Sequence, residues 1–101
     1  MVRFKIPVPV AYGTDQNKVL KLLLEVAAED PNVATDPPPS VRLSQFGTNA
    51  LTFELVIWTS KLMHRQGMMR SRINTAVYQK FNDHGIVIPL PQMDVRVNNQ
   101  G

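Results

Sequence analysis

Residues 51–58, LTFELVIW, constrain this chain more than any other run. Leu51, Phe53, Leu55 and Ile57 fall on one face of an extended strand. Thr52, Glu54, Val56 and Trp58 fall on the other, because successive side chains in a strand point to opposite sides. One face can be sunk into a core. The other starts polar and ends in Val56 and the single tryptophan of the chain. The run therefore reads as the middle strand of one sheet.

Residues 2–10 alternate in the same way, with Val2, Phe4, Ile6, Val8 and Val10 set against Arg3, Lys5, Pro7 and Pro9. Pro7 and Pro9 lack donors that would point to the same side, so that side must be open or incompletely paired. Tyr12-Gly13-Thr14-Asp15 turns the chain. Thr14 is the expected N-cap of a helix, and Asp15 suits the positive end of its dipole. Val19, Leu20, Leu22, Leu23, Val26 and Ala27 then recur at helical spacing. Lys21 and Glu25, four apart, predict a surface pair. Pro31 should end the helix near Asp30.

Residues 32–40 contain Pro37, Pro38 and Pro39 and predict a stiff, extended connector. In the next short strand Val41, Leu43 and Gln45 should share one face, and Arg42, Ser44 and Phe46 the other. Gly47-Thr48-Asn49 joins it to residues 51–58 as a hairpin. Residues 59–66 read as a loop or a ragged helix start, since Gly67 weakens helix before it. Met69, Ile73, Ala76, Val77 and Phe81 mark a second helix over roughly 68–84, with Gly85 placed for a left-handed cap. Ile86, Val87 and Ile88 open a closing strand that Pro89 and Pro91 interrupt and Val95 and Val97 resume. The order βαββαβ predicts a ferredoxin-like α+β domain over residues 1–97, one sheet with both helices on one face and the first and third strands central. Residues 98–101 form a polar tail.

The chemistry expected from this composition is thin. The absence of cysteine removes disulfides, thiolate metal sites and thiol nucleophiles. No run approaches the length needed to cross a bilayer. His64 and His84 have no ligand-spaced carboxylates, so no metal or cofactor is expected. No catalytic triad or phosphate-cradling loop is suggested. The net charge of +3 is mild, and Arg65, Arg70 and Arg72 read as a solvated helix face. An RNA-recognition module would place aromatics on the open face of the first and third strands. Here that face holds Arg3, Lys5, Pro7 and Pro9 beside Thr52, Glu54, Val56 and Trp58, so nucleic acid is not an expected partner. An apolar patch on an open sheet face is normally covered by another surface. Assembly is the physical inference, with Val56, Trp58, Pro7 and Pro9 as contact residues and Met63 and Met68 as further candidates.

Several runs resemble the C-terminal cytoplasmic domain of small-conductance mechanosensitive (MscS-like) channels. They are Val8 to Asp15 with Lys18-Val19 and Leu22-Leu23; Asp36 to Pro39; Phe46-Gly47; residues 51–58 with Trp58; Arg70-Ser71, Ile73-Asn74 and Ala76-Val77; and Gly85 to Gln92 with Asp94-Val95. Tyr12, Gly13, Thr14, Asp15, Gly47, Gly85, Pro89 and Pro91 are the turn and cap positions within them. The resemblance implies a non-enzymatic, homo-oligomeric vestibule domain below a membrane pore, seven copies in the full channel. That domain would filter solutes and support gating at the cytoplasmic face of the inner membrane, joined to the bilayer by helices absent from this chain. Pro9 departs from a common glycine, and Arg72 from a common acid, which implies the loss of a family salt bridge or interface contact. The other readings of the residues are a soluble ferredoxin-like regulatory module binding a small ligand between subunits, and a small enzyme at a dimer interface.

Overall fold

The computed structural model describes residues 1–61 and 65–89. Its elements follow the order β1 (Val2–Val10), α1 (Gln16–Glu29), β2 (Ser40–Phe46), β3 (Leu51–Thr59) and α2 (Gln66–Asp83). The three strands form one antiparallel sheet in the order β1-β3-β2. The alternation of β1 and β3 becomes a two-faced sheet. Phe4, Ile6, Val8 and Val10 lie on the same face as Leu51, Phe53, Leu55 and Ile57, and all are buried. Val19, Leu22, Leu23, Val26 and Ala27 of α1 and Met69, Ile73, Val77 and Phe81 of α2 close that face into a single core. The fold is α+β, with both helices on one side of the sheet.

The two prolines of β1 sit in an unbroken register, Pro7 opposite Glu54 and Pro9 opposite Thr52. In a strand, the backbone groups of alternate residues point to alternate sides. Ala11 shares the parity of Pro7 and Pro9, and its N–H donates to Val87 O at 3.0 Å, away from β3. Lys5 O, of the same parity, accepts from Arg70 Nη1 at 3.2 Å. The missing proline donors therefore face the outer edge of β1, where they cost no pairing and blunt an edge that could template another strand. The closing strand expected from residue 86 meets this edge only through Val87 O among the described residues. Residues 86–89 are not strand, and the remainder of that segment, with the tail at 98–101, lies outside the described residues.

Asp15, not Thr14, caps α1. Its carboxylate accepts from the N–H groups of Asn17 at 3.0 Å and Lys18 at 3.4 Å, while the Thr14 hydroxyl donates to Ala11 O at 2.6 Å and tightens the turn before it. One residue of offset decides this: the cap must precede the first helical turn, and the helix begins at Gln16. At the other end Asp30 is the C-cap, as Pro31 requires. The connector then passes the end of β3, where Ala34 N–H donates to Trp58 O at 2.7 Å. The Asp36–Pro37 peptide is cis.

A register shift between Leu43 and Gln45 corrects the expected faces of β2. Before it Val41 and Leu43 oppose Leu55 and Phe53. After it Gln45 opposes Thr52 on the open face, and Phe46 opposes Leu51 on the helix face. An extra residue in one strand exchanges the faces of everything beyond it. The second helix begins at Gln66, so Gly67 lies inside its first turn, and its N-cap, Arg65, makes no side-chain capping bond. It ends in a Schellman arrangement. Gly85 has φ +73, its N–H donates to Asn82 O, and Ile86 N–H donates to Phe81 O at 2.9 Å. Ile86 and Phe81 are both buried, completing the apolar contact of that motif.

Ion pairs tie the helices together. Lys80 Nζ reaches Glu29 at 2.8 Å and Glu25 at 3.4 Å, and Arg72 pairs with Asp30 at 3.2 Å. Glu25 thus pairs with a cation of the other helix and not, as its spacing predicted, with Lys21 along its own, because Lys80 reaches across from α2. Arg72, where the resemblance implied a lost salt bridge, makes one within the domain. The Lys80 ammonium is held protonated above the ordinary lysine value, chiefly by the hydrogen bond it donates to Glu29, with both carboxylates adding to it and partial burial opposing it.

Candidate functional site

The open face of the sheet carries Arg3, Lys5, Pro7 and Pro9 from β1 beside Thr52, Glu54, Val56 and Trp58 from β3. The β1 residues are exposed, and the β3 residues are half-buried although no helix covers them. Neighbouring side chains do the shielding. Trp58 lies opposite Arg3, whose guanidinium sits 5.8 Å from the indole centroid, a cation–π distance. Val56 lies between Lys5 on one side and Ser40 on the other. Next along, Arg42 Nε and Nη2 both donate to Glu54 Oε1, at 3.1 and 3.0 Å. The face is therefore a basic and aromatic surface with a small apolar centre, not a bare apolar patch.

The remaining contact candidates are dispersed. Met68 is exposed on α2, at the rim of an open groove of about 680 Å³ between the helices whose lining also includes Val26, Asp30, Arg72 and Ala76. That groove is on the helix side, so Met68 does not join Val56 and Trp58. Met63 lies outside the described residues, as does Pro91.

The turn residues gather at the other end of the domain. Gly13 has φ +90, a region that glycine adopts without strain. The Tyr12 hydroxyl donates to Gly47 O at 2.6 Å, joining the end of β1 to the β2–β3 hairpin. A Cβ on Gly47 would stand 2.9 Å from Ala50 O, so the close approach of the hairpin strands requires glycine there. Gly85 caps α2, and Pro89 is half-buried beyond it.

Five exposed apolar side chains lie toward this end, and the periodicity of the sequence placed none of them on a contact surface. Phe46 is 74% exposed, Val87 61%, Tyr78 59%, Tyr12 50% and Ile88 37%. The signal was present in the residue types: a phenylalanine at the hairpin, a tyrosine just after β1 and another on α2 are large apolar groups outside any buried stripe. Among the described residues no cluster of His, Asp and Glu could hold a metal, and no helix is long and apolar enough to cross a membrane.

A single sheet roofed by two helices, with its other face left to side chains alone, defines a small α+β module. A family model described as "Mechanosensitive ion channel MscS, C-terminal" matches residues 4–88. The chain belongs to this family of mechanosensitive channels, as its C-terminal domain. It is 35% identical over 99 residues to an uncharacterized MscS family protein of Haemophilus influenzae, covering 98% of this chain and 9% of that protein. It is 34% identical over 98 residues to the mechanosensitive channel MscK of Escherichia coli, covering 97% of this chain and again 9% of the relative. The chain thus spans only a small part of the length of these relatives. The crystal structure of Helicobacter pylori MscS in its closed state superposes with a TM-score of 0.82 over 98% of this chain and 39% of that one, at 22% identity, which shows the shared fold.

Proposed function

We propose that this domain is the cytoplasmic vestibule and assembly module of a mechanosensitive channel. Copies of it associate around the axis of the pore, seven in the complete channel, enclose a chamber that filters solutes, and support gating from the cytoplasmic face of the inner membrane. The bilayer-spanning helices belong to the rest of such a protein. The observation that carries this reading is the family match across residues 4–88, the whole of the described core. The open sheet face, with Pro7, Pro9, Val56 and Trp58, is the proposed contact with a neighbouring copy. A half-buried tryptophan on a solvent face is a common anchor of protein interfaces.

The test is functional. The full reading frame that encodes this chain is expressed in bacteria lacking their own mechanosensitive channels. We expect survival of hypo-osmotic shock and tension-activated currents in excised patches. An absence of current up to the tension that ruptures the patch overturns the channel reading.

A further inference from the structure

The exposed apolar residues at the hairpin end lie on neighbouring segments. Phe46 precedes Gly47, whose carbonyl accepts from the Tyr12 hydroxyl at 2.6 Å. Tyr12 follows Ala11, whose N–H donates to Val87 O at 3.0 Å. Val87 and Ile88 share a second groove with Tyr78 of α2. One band therefore crosses the ends of β2, β1 and α2. Aromatic side chains bury about 150–250 Å² each, so at their observed exposures these five residues present on the order of 500 Å². That lies near the top of the roughly 300–600 Å² range of the largest apolar patch on a monomer. It is also more than half of the roughly 800 Å² that each partner contributes to a standard interface.

We propose that this band packs against the open sheet face of a second copy of this chain. The proposal rests on the reading of the domain as an assembly module, and it specifies how that assembly is built. A ring of identical chains needs a heterologous contact, in which two unlike patches meet and repeat. The domain carries two such patches on different parts of its surface. Their charges are complementary. Asp15 caps α1 three residues after Tyr12, and Asp83 ends α2 four residues before Val87, both exposed, while Lys18 donates to His84 O at 2.7 Å. The open face carries Arg3 and Lys5. An anionic membrane surface would be repelled by the same acids, which leaves a basic protein face as the better partner.

Sedimentation equilibrium of the chain and three variants tests the contact. Phe46→Ser with Tyr78→Ser removes the band, and Trp58→Ala removes the anchor of the opposite face. Val56→Ser replaces Trp58→Ala if the latter melts below the working temperature. We expect the native chain to associate, each variant alone to associate at least tenfold more weakly, and an equimolar mixture of the two to form dimers. In the mixture one intact band can meet one intact open face, and the chain of contacts then stops. A band variant that associates like the native chain overturns the inference but leaves the assembly reading intact. So does a mixture that stays monomeric when both variants are folded. A native chain that remains monomeric at the highest attainable concentration overturns assembly by this chain altogether.

Discussion

The two faces of β3 are made from one strand and behave as two materials. On one side Leu51, Phe53, Leu55 and Ile57 are buried under α1 and α2. On the other, Thr52, Glu54, Val56 and Trp58 are half-buried by the long side chains of adjacent strands, with Arg3 over Trp58 and Arg42 on Glu54. A roof of helices removes water from a side chain on all sides and leaves tight packing behind. Shielding by Arg and Lys stems removes it only in part, at a higher cost in side-chain order. The first kind of burial holds the domain together. The second keeps a surface soluble while leaving an aromatic group within reach of a partner.

The comparison is most exposed to test at Phe53. Phe53→Ala should cost about 3–5 kcal/mol, the usual range for a phenylalanine deleted from a closed core. Chemical denaturation measures this, and a loss under about 1 kcal/mol would mean that the helix face is loosely packed. Trp58→Ala, with more atoms removed but from a face that no helix covers, should cost about 1–2 kcal/mol in the same measurement. A loss as large as that of Phe53→Ala would place Trp58 in the core and erase the distinction between the faces.

Arg42→Ala probes the polar end of the open face. Arg42 is largely exposed and donates twice to Glu54, so its removal should cost no more than about 1 kcal/mol. A larger loss in a double-mutant cycle with Glu54→Gln would show that the open face contributes to folding as well as to contact. The smallest expected effect is the pH dependence of the helix layer. Lys80 binds its proton more tightly in the folded domain, so its contribution is complete below the ordinary value of 10.5 and is lost as pH rises through the raised folded value. The difference in melting temperature between the native domain and Lys80→Met should therefore be present at neutral pH and shrink above pH 10.5. A difference that stays constant would assign the effect of Lys80 to packing of its stem.

Much of this was legible in the residues. The period-two runs at 2–10 and 51–58, the helical stripes of α1 and α2, the stop at Pro31 and the cap at Gly85 are local. Each is decided by sterics and burial within a few residues of the chain. The resemblance to mechanosensitive channels is likewise a matter of local runs in order. What only the tertiary structure decided depends on groups far apart in sequence. The shift between Leu43 and Gln45 turns Phe46 to the helix face, at a place where no helix covers it. The contacts of Tyr12 with Gly47, and of Ala11 with Val87, gather scattered apolar residues into one band. Arg3 folds over Trp58, so the tryptophan of the open face is shielded, while Phe46 and Tyr78 stand in water. Periodicity tells which side of an element a residue is on. Register, a single extra residue in one strand and the reach of a neighbouring cation decide what that side meets.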